Sequence, residues 1–327
     1  MFTLIMGMLL LMGCSVTKRP QETAVSPQTG MLLLPELEAI ELDGKPLEVV
    51  ATTSIIGNVV SQVGGDSIQL TTLIGAGQDP HSYEPGAQEL TTVTDAHIIF
   101  VNGWDLEETL IQNIDNIGEE VPLIPVSANI APLELGNTIH EDEHAQGTAD
   151  PHTWLTVQNV KQWVQNIEHT LSNLDPANAE TYKNNAAVYL SELDALETYT
   201  QTQLADIPTE RRFLVTNHDA LGYFVHEYGF ELLGTIIPGS STLAEPSASD
   251  LAQLIQKMTT HNICTIFTET AVSNKMAQTV AAELDSCDQI QILTLHTGTL
   301  GSPGSGVDSY IGMFRANVDT VVQGLKE

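Results

Sequence analysis

The sequence predicts an α/β protein of two lobes, each a mostly parallel sheet flanked by helices, joined by one long rigid helix. Three observations predict it. Strand-like runs alternate with runs of helical period up to about residue 174, the same alternation restarts after Pro208, and a single helical run of lobe-spanning length separates the two. A chain of 327 residues is long enough for two such units, each with its own core.

The chain opens on an apolar run from Met1 to Gly13 that ends at Cys14. It is too short to span a bilayer and reads as an export signal. Leu11-Met12-Gly13-Cys14 is similar to a bacterial lipobox, in which cleavage before the cysteine leaves that residue to carry a lipid; residues 1–14 are therefore expected to be a lipoprotein signal peptide and Cys14 the lipidation site. Residues 15–45 are rich in Pro, Gln, Ser, Thr and Glu, as a flexible tether would be. The apolar patch Met31 to Leu34 interrupts that composition without an evident reason.

The N-terminal lobe is assigned to residues 46–174. Leu47 to Thr52 is strand-like, and Ile55, Ile56, Val59, Val60 and Val63 then recur at helical spacing until Gly64-Gly65 stops them. A second strand, Ile68 to Ile74, runs into Gln78-Asp79-Pro80-His81-Ser82-Tyr83-Glu84-Pro85. After a short helix come a strand from Ile98 to Val101, a helix from Trp104 to Ile114 and a strand from Val121 to Val126. In an open parallel sheet the functional loops gather at the carboxyl ends of the strands, which is where His81 falls. Asp150-Pro151-His152-Thr153-Trp154 repeats the Asp-Pro-His triplet. A proline fixes φ near −65°, so an imidazole directly after it has little backbone freedom left to lose.

A helical run with Val157, Val160, Trp163, Val164, Ile167, Leu171 and Leu174 on one face follows. Asp175 and Pro176 then give the N-cap and first-turn signature of the linking helix, assigned to residues 175–207. At about 1.5 Å per residue its run to Ala205 spans on the order of 35 Å, the diameter of a small domain. The C-terminal lobe, residues 208–327, shows strands at Phe213–Thr216, Glu231–Ile237, Ile263–Phe267 and Ile290–Leu295, with helices at Ala220–Tyr228, Ser249–Thr260, Asn274–Leu284 and from Tyr310. His218 lies just beyond the first of these strands, the counterpart of His81. The glycine-rich Gly298–Gly306 loop leads to Asp308, a position that suits a ligand as well as an N-cap.

Eleven Lys+Arg against 42 Asp+Glu leave a net charge of −31. That field repels nucleic acid and anionic headgroups and favours cations. Cys264 and Cys287 are compatible with a disulfide or with two separate buried thiols.

The order of motifs carries a resemblance. Asp79-Pro80-His81-Ser82-Tyr83-Glu84-Pro85, Asp150-Pro151-His152-Thr153-Trp154-Leu155, Thr216-Asn217-His218-Asp219-Ala220-Leu221-Gly222-Tyr223-Phe224 and Asp308-Ser309-Tyr310 leading into Met313 make the chain similar to the metal-binding lipoproteins of zinc and manganese ABC importers, the TroA-like solute-binding proteins. The resemblance covers nearly everything after residue 47. It implies a periplasmic-binding-protein fold with no enzymatic activity, and metal ligands at His81, His152, His218 and Asp308, two from each lobe. Three imidazoles and one carboxylate make a four-coordinate set suited to Zn²⁺, with Mn²⁺ as the alternative and iron behind it. Members that bind manganese often carry Glu where this chain has His218, which favours zinc.

The resemblance further implies an extracytoplasmic receptor, held at the membrane by its lipid, that delivers metal to an ABC permease; a monomer is expected. Around the ligands, Glu269, Asp219 and His296 are expected to line the cleft or support an imidazole, since a ligating imidazole needs an oxygen partner for its other N–H. The loop His140, Glu141, Asp142, Glu143 and His144 resembles a shortened form of the His- and acid-rich loop of zinc-binding members. Weak metal gathering and a plain solvated acidic loop are both open for it. The rival classes are a zinc hydrolase, which would need an open metal position with a general base beside it and shows no His-Glu-x-x-His motif, and a metal-stabilised adhesin.

Overall fold

The structure, a computed structural model, describes residues 30–117, 121–134 and 149–326. The signal run with Cys14, the first part of the tether and the His140–His144 loop lie outside the described residues.

In the N-terminal lobe the elements are β1 (Leu47–Thr53), α1 (Ser54–Gly64), β2 (Ile68–Ile74), α2 (Ala87–Thr94), β3 (Ile98–Val101), α3 (Glu108–Ile117) and β4 (Leu123–Pro125). The strands form a parallel sheet in the order β2-β1-β3-β4. Helix α1 starts where the Thr53 hydroxyl accepts the Ile56 N–H at 3.2 Å, and it buries the expected stripe of Ile55, Ile56, Val59, Val60 and Val63. It stops at Gly65, whose φ of +53° lies in the left-handed region. One expected start is corrected. Helix α3 begins at Glu108 rather than Trp104, because Trp104 and Asp105 take φ of +50° and +58°, which no right-handed helix contains.

The tether is also corrected from residue 30 onward. Leu32 is buried and its carbonyl accepts the Asn129 N–H at 2.9 Å, while Leu34, Leu37, Ile40 and Leu42 pack on the main core. The Ile40 N–H reaches the Leu174 carbonyl at 2.9 Å, satisfying one of the acceptors a helix end leaves open. The patch Met31–Leu34 therefore has a structural purpose, since Leu32 covers Gly103 so closely that a Cβ there would meet it at 2.4 Å.

Helix α4 (Val157–Leu174) lays its expected apolar face on this lobe. A short turn opened by Pro176 leads into α5 (Ala179–Ala205), whose 27 residues make it about 40 Å long. Its buried positions, Tyr182, Ala186, Tyr189, Leu193, Leu196, Thr200 and Leu204, follow a spacing of three and four along one stripe. The Asp175 carboxylate anchors its start by accepting from Asn178 and from the Tyr182 hydroxyl at 2.7 and 2.8 Å. The helix packs on α1 and α4 and, further along, on the last helix of the chain, so it ties both lobes into one frame.

The C-terminal lobe runs β5 (Phe213–Thr216), α6 (Gly222–Tyr228), β6 (Glu231–Thr235), α7 (Ala248–His261), β7 (Thr265–Glu269), α8 (Lys275–Ala282), β8 (Gln291–Leu295) and α9 (Tyr310–Leu325). Its parallel sheet, in the order β6-β5-β7-β8, repeats the topology of the first. In both sheets the chain goes to one side of the first strand and then crosses to the other. Ligand crevices form at such switch points. Cys264 and Cys287 are joined by a disulfide with Cα atoms 5.8 Å apart, at the end of β7 remote from Glu269.

Candidate metal centre

Three loops deliver three imidazoles. The first leaves β2, where the Asp79 carboxylate turns back on its own loop: Oδ1 accepts the His81 N–H at 3.0 Å and Oδ2 accepts the Ser82 hydroxyl at 3.1 Å. Tyr83, buried, pins the far side of this loop by donating to Glu89 at 2.6 Å.

The second Asp-Pro-His is built the same way and goes further. Asp150 Oδ1 accepts the His152 N–H at 2.9 Å and lies 2.8 Å from His152 Nδ1. The Pro151 carbonyl between them accepts from Asn102 at 2.7 Å, and Trp154 meets His152 edge-on while its indole N–H donates to the Thr297 carbonyl at 2.6 Å. The other Asp150 oxygen sits against Gly222 of the opposite lobe, where a Cβ would come within 2.3 Å.

The third imidazole, His218, follows β5. Its Nδ1 lies 2.6 Å from Glu269 Oε1, and Glu269 Oε2 accepts the Thr297 hydroxyl. Because β5 and β7 are neighbours on either side of the switch point, their carboxyl ends bring His218 and Glu269 together.

The free nitrogens of the three rings converge. His81 Nε2 and His218 Nε2 lie 3.2 and 3.3 Å from His152 Nε2, and all three ligand atoms fall within 4.8 Å of one another. With carboxylates accepting at Nδ1 of His152 and His218, the tautomer that follows leaves their Nε2 lone pairs facing each other. Such lone pairs repel unless a cation stands between them. The donor set therefore fits a transition metal, and its chemistry is that of three nitrogens. Asp79, Pro80, Trp154, Thr242 and Val272 are among the residues that line the rest of the cleft.

The charge balance agrees. Burial, then the positive charge of His152 and His218, pulls His81 down to about 3. His152 is pulled well below its ordinary value by burial and by His218. Burial pulls on His218 too, but the charge and hydrogen bond of Glu269, helped by Asp79 and Asp219, outweigh it and raise this imidazole. Burial pushes Glu269 up and is itself outweighed by His218 and Thr297, so this carboxyl is lowered. Two of the three imidazoles are thus held neutral, the form that binds metal, and the third carries the site's contested proton.

Of the other expected site residues, Glu269 is the oxygen partner of an imidazole. Asp308 is not at the site, which corrects the four-ligand expectation. It is exposed and accepts the Gly304 N–H at 2.6 Å, while Ser309 caps α9. The glycine-rich loop folds back on itself through Gly301 N–H to the Val307 carbonyl at 2.9 Å, so its start reaches the cleft and its end does not. That start is Thr297, on Glu269, and Gly298, against Pro80.

His296 stays outside the cluster, its backbone held on both sides by Asn317 and its Nδ1 buried without a partner. Asp219 is buried beside His218 and raised to about 6 by burial and by the charge of Asp150; α6 starts three residues later with Leu221 at its cap, so Asp219 does not cap it. Asp79, Asp150, Asn102, Thr242 and Thr297 join the site in addition to the expected residues. The signal for the first two was in the triplets themselves, since Asp two residues before an N–H is an Asx turn. Nothing local marks the others.

Two like lobes on one long helix, with three converging imidazoles between them, define a metal-binding receptor. The chain belongs to the family described as zinc-uptake complex component A, periplasmic, which it matches over residues 49–324. It is similar to the manganese-binding lipoprotein MntA of Halalkalibacterium halodurans, 33% identical over 287 residues, covering 87% of this chain and 90% of that one. It is similar also to the manganese ABC transporter substrate-binding lipoprotein PsaA of Streptococcus mitis, 31% identical over 289 residues with 86% and 90% covered. Among solved structures, the periplasmic zinc binding protein TroA from Treponema pallidum matches with a TM-score of 0.76 at 28% identity, covering 87% of this chain and all of that one. The chain is thus a metal-binding, substrate-binding component of the ABC importer class.

Proposed function

We propose that this protein is an extracytoplasmic receptor, anchored through a lipid on Cys14, that captures Zn²⁺ as cargo at His81, His152 and His218 and delivers it as a monomer to an ABC permease. The observation that carries the metal assignment is the convergence of three imidazole nitrogens, a cluster that among the described residues includes no carboxylate oxygen. Nitrogen donors suit Zn²⁺, whereas Mn²⁺ favours oxygen. The lipid anchor is supported by the Leu11–Cys14 motif and by the relatives' description as lipoproteins.

A second reading, manganese, is favoured by what those same relatives are named for. The general order of divalent affinities already puts Zn²⁺ above Mn²⁺, so the informative quantity is the ratio of the two. Titration of the metal-free protein with each ion, followed by metal analysis after exposure to both, is expected to show stoichiometric Zn²⁺. His218→Glu, which exchanges a nitrogen for oxygens, should narrow the ratio by about tenfold or more. A wild-type protein that keeps Mn²⁺ from the mixture would overturn the zinc assignment.

A further inference from the structure

We propose that Thr242 is a positioning residue for metal retention, clipping the His81 loop to the opposite lobe through Asp79. The segment between β6 and α7 leaves the C-terminal sheet beside His218. Its base is fastened to the His218 loop twice, by the Ile237 N–H on the Asn217 carbonyl at 2.6 Å and by the Asp219 N–H on the Gly239 carbonyl at 2.9 Å. Its middle crosses the cleft, where the Thr242 hydroxyl donates to Asp79 Oδ2 at 2.6 Å. The same carboxylate holds the His81 N–H through Oδ1. One segment therefore joins the loop of one ligand to the loop of another on the other lobe.

The three imidazoles are not equally supported. His152 and His218 each have a carboxylate on Nδ1, whereas Asp79 grips His81 through its backbone, and its orientation depends on Ser82 and Thr242. The lobes are also joined independently of Thr242, by Trp154 to Thr297 and by Ser54 to Thr299 and Leu300. The start of the His81 loop is itself held to the C-terminal lobe by the Gly77 N–H on the Thr299 hydroxyl at 2.9 Å. Loss of the Thr242 contact therefore leaves the lobes and the base of the loop in place and frees the Asp79 carboxylate that holds the His81 N–H. A hydrogen bond to a charged acceptor is strong enough for this to be measurable.

The inference rests on the metal-receptor reading, and the experiment separates the two. Full-length wild type, Thr242→Val and Thr242→Ser are loaded with Zn²⁺, or with Mn²⁺ if that is what wild type retains, and metal loss to an excess of chelator is followed by stopped flow. Failure of wild type to hold either ion would overturn the receptor reading itself. With wild type loaded, Thr242→Val is expected to release metal about tenfold faster, Thr242→Ser to behave as wild type, and the melting temperature of all three metal-free proteins to agree. The visible spectrum of the Co²⁺-loaded Thr242→Val protein should shift, as a loosened imidazole requires. Equal release rates for wild type and Thr242→Val, or equally fast release from Thr242→Ser, would overturn the clip. So would acceleration matched by a lower melting temperature of the metal-free protein.

Discussion

His218 Nδ1 and Glu269 Oε1 meet at 2.6 Å across the switch point of the C-terminal sheet, one residue from the loop after β5 and the other from the end of β7. The contact fixes the ring, selects the tautomer that bares Nε2 and makes that nitrogen more basic. Glu269→Gln keeps the shape and removes the charge. It is expected to weaken Zn²⁺ binding at pH 8 by about 10- to 100-fold, as loss of a ligand's supporting carboxylate generally does. Isothermal titration of the two proteins checks this, and equal affinities would show that Glu269 merely fills space.

The same pair sets the pH dependence. His218 is raised above its ordinary 6.5 by Glu269, so in the metal-free protein it takes up its proton at a higher pH than an ordinary imidazole does, and metal must displace it. His81, lowered to about 3, and His152, well below 6.5, hold no competing proton in that range. Affinity is therefore highest above the raised pKa of His218. Below it, binding should weaken by about tenfold per pH unit, the slope of one displaced proton rather than three. In Glu269→Gln the slope should flatten, because the charge that raised His218 is gone.

The disulfide joins Cys264, just before β7, to Cys287, beyond α8. Closing a loop of this length restricts the unfolded chain, and its removal is expected to cost about 3 kcal/mol. Urea unfolding of the Cys264→Ser, Cys287→Ser double variant measures that loss. Zn²⁺ affinity should not change, since Glu269 lies at the opposite end of β7; a parallel fall in affinity would mean that strain reaches the metal site along the strand.

Periodicity made both lobes and α5 legible, because apolar stripes such as Ile55-Ile56-Val59-Val60-Val63 arise from the packing they report. The three histidines were legible because proline turns and strand ends place them. Asp308 misled for a physical reason: a glycine-rich loop has no pattern that says which end enters a cleft, and here hydrogen bonds within the loop turn its end away. Leu32 was obscured by the tether-like residues around it. Thr242, Thr297 and Asn102 act through contacts between segments far apart in the chain, which no local pattern encodes.

Glu107 supplies a last prediction, away from the metal. It is 1% exposed and accepts the Thr52 hydroxyl at 2.5 Å and the Asn102 N–H at 2.9 Å, the same Asn102 that holds the Pro151 carbonyl beside His152. Burial, only partly offset by these bonds, raises its carboxyl from 4.5 to about 7. The folded protein therefore keeps a proton here that the unfolded chain gives up near 4.5. The resulting stability is fully present below that value, is lost as pH rises from there to about 7, and stays lost above it. Glu107→Gln can accept both hydrogen bonds with its amide oxygen and has no proton to lose. By urea unfolding it should be more stable than wild type at pH 8, by on the order of 3 kcal/mol, and the advantage should vanish by pH 4.5. An advantage of the same size at both pH values would show that packing, and not the buried charge, separates the two proteins.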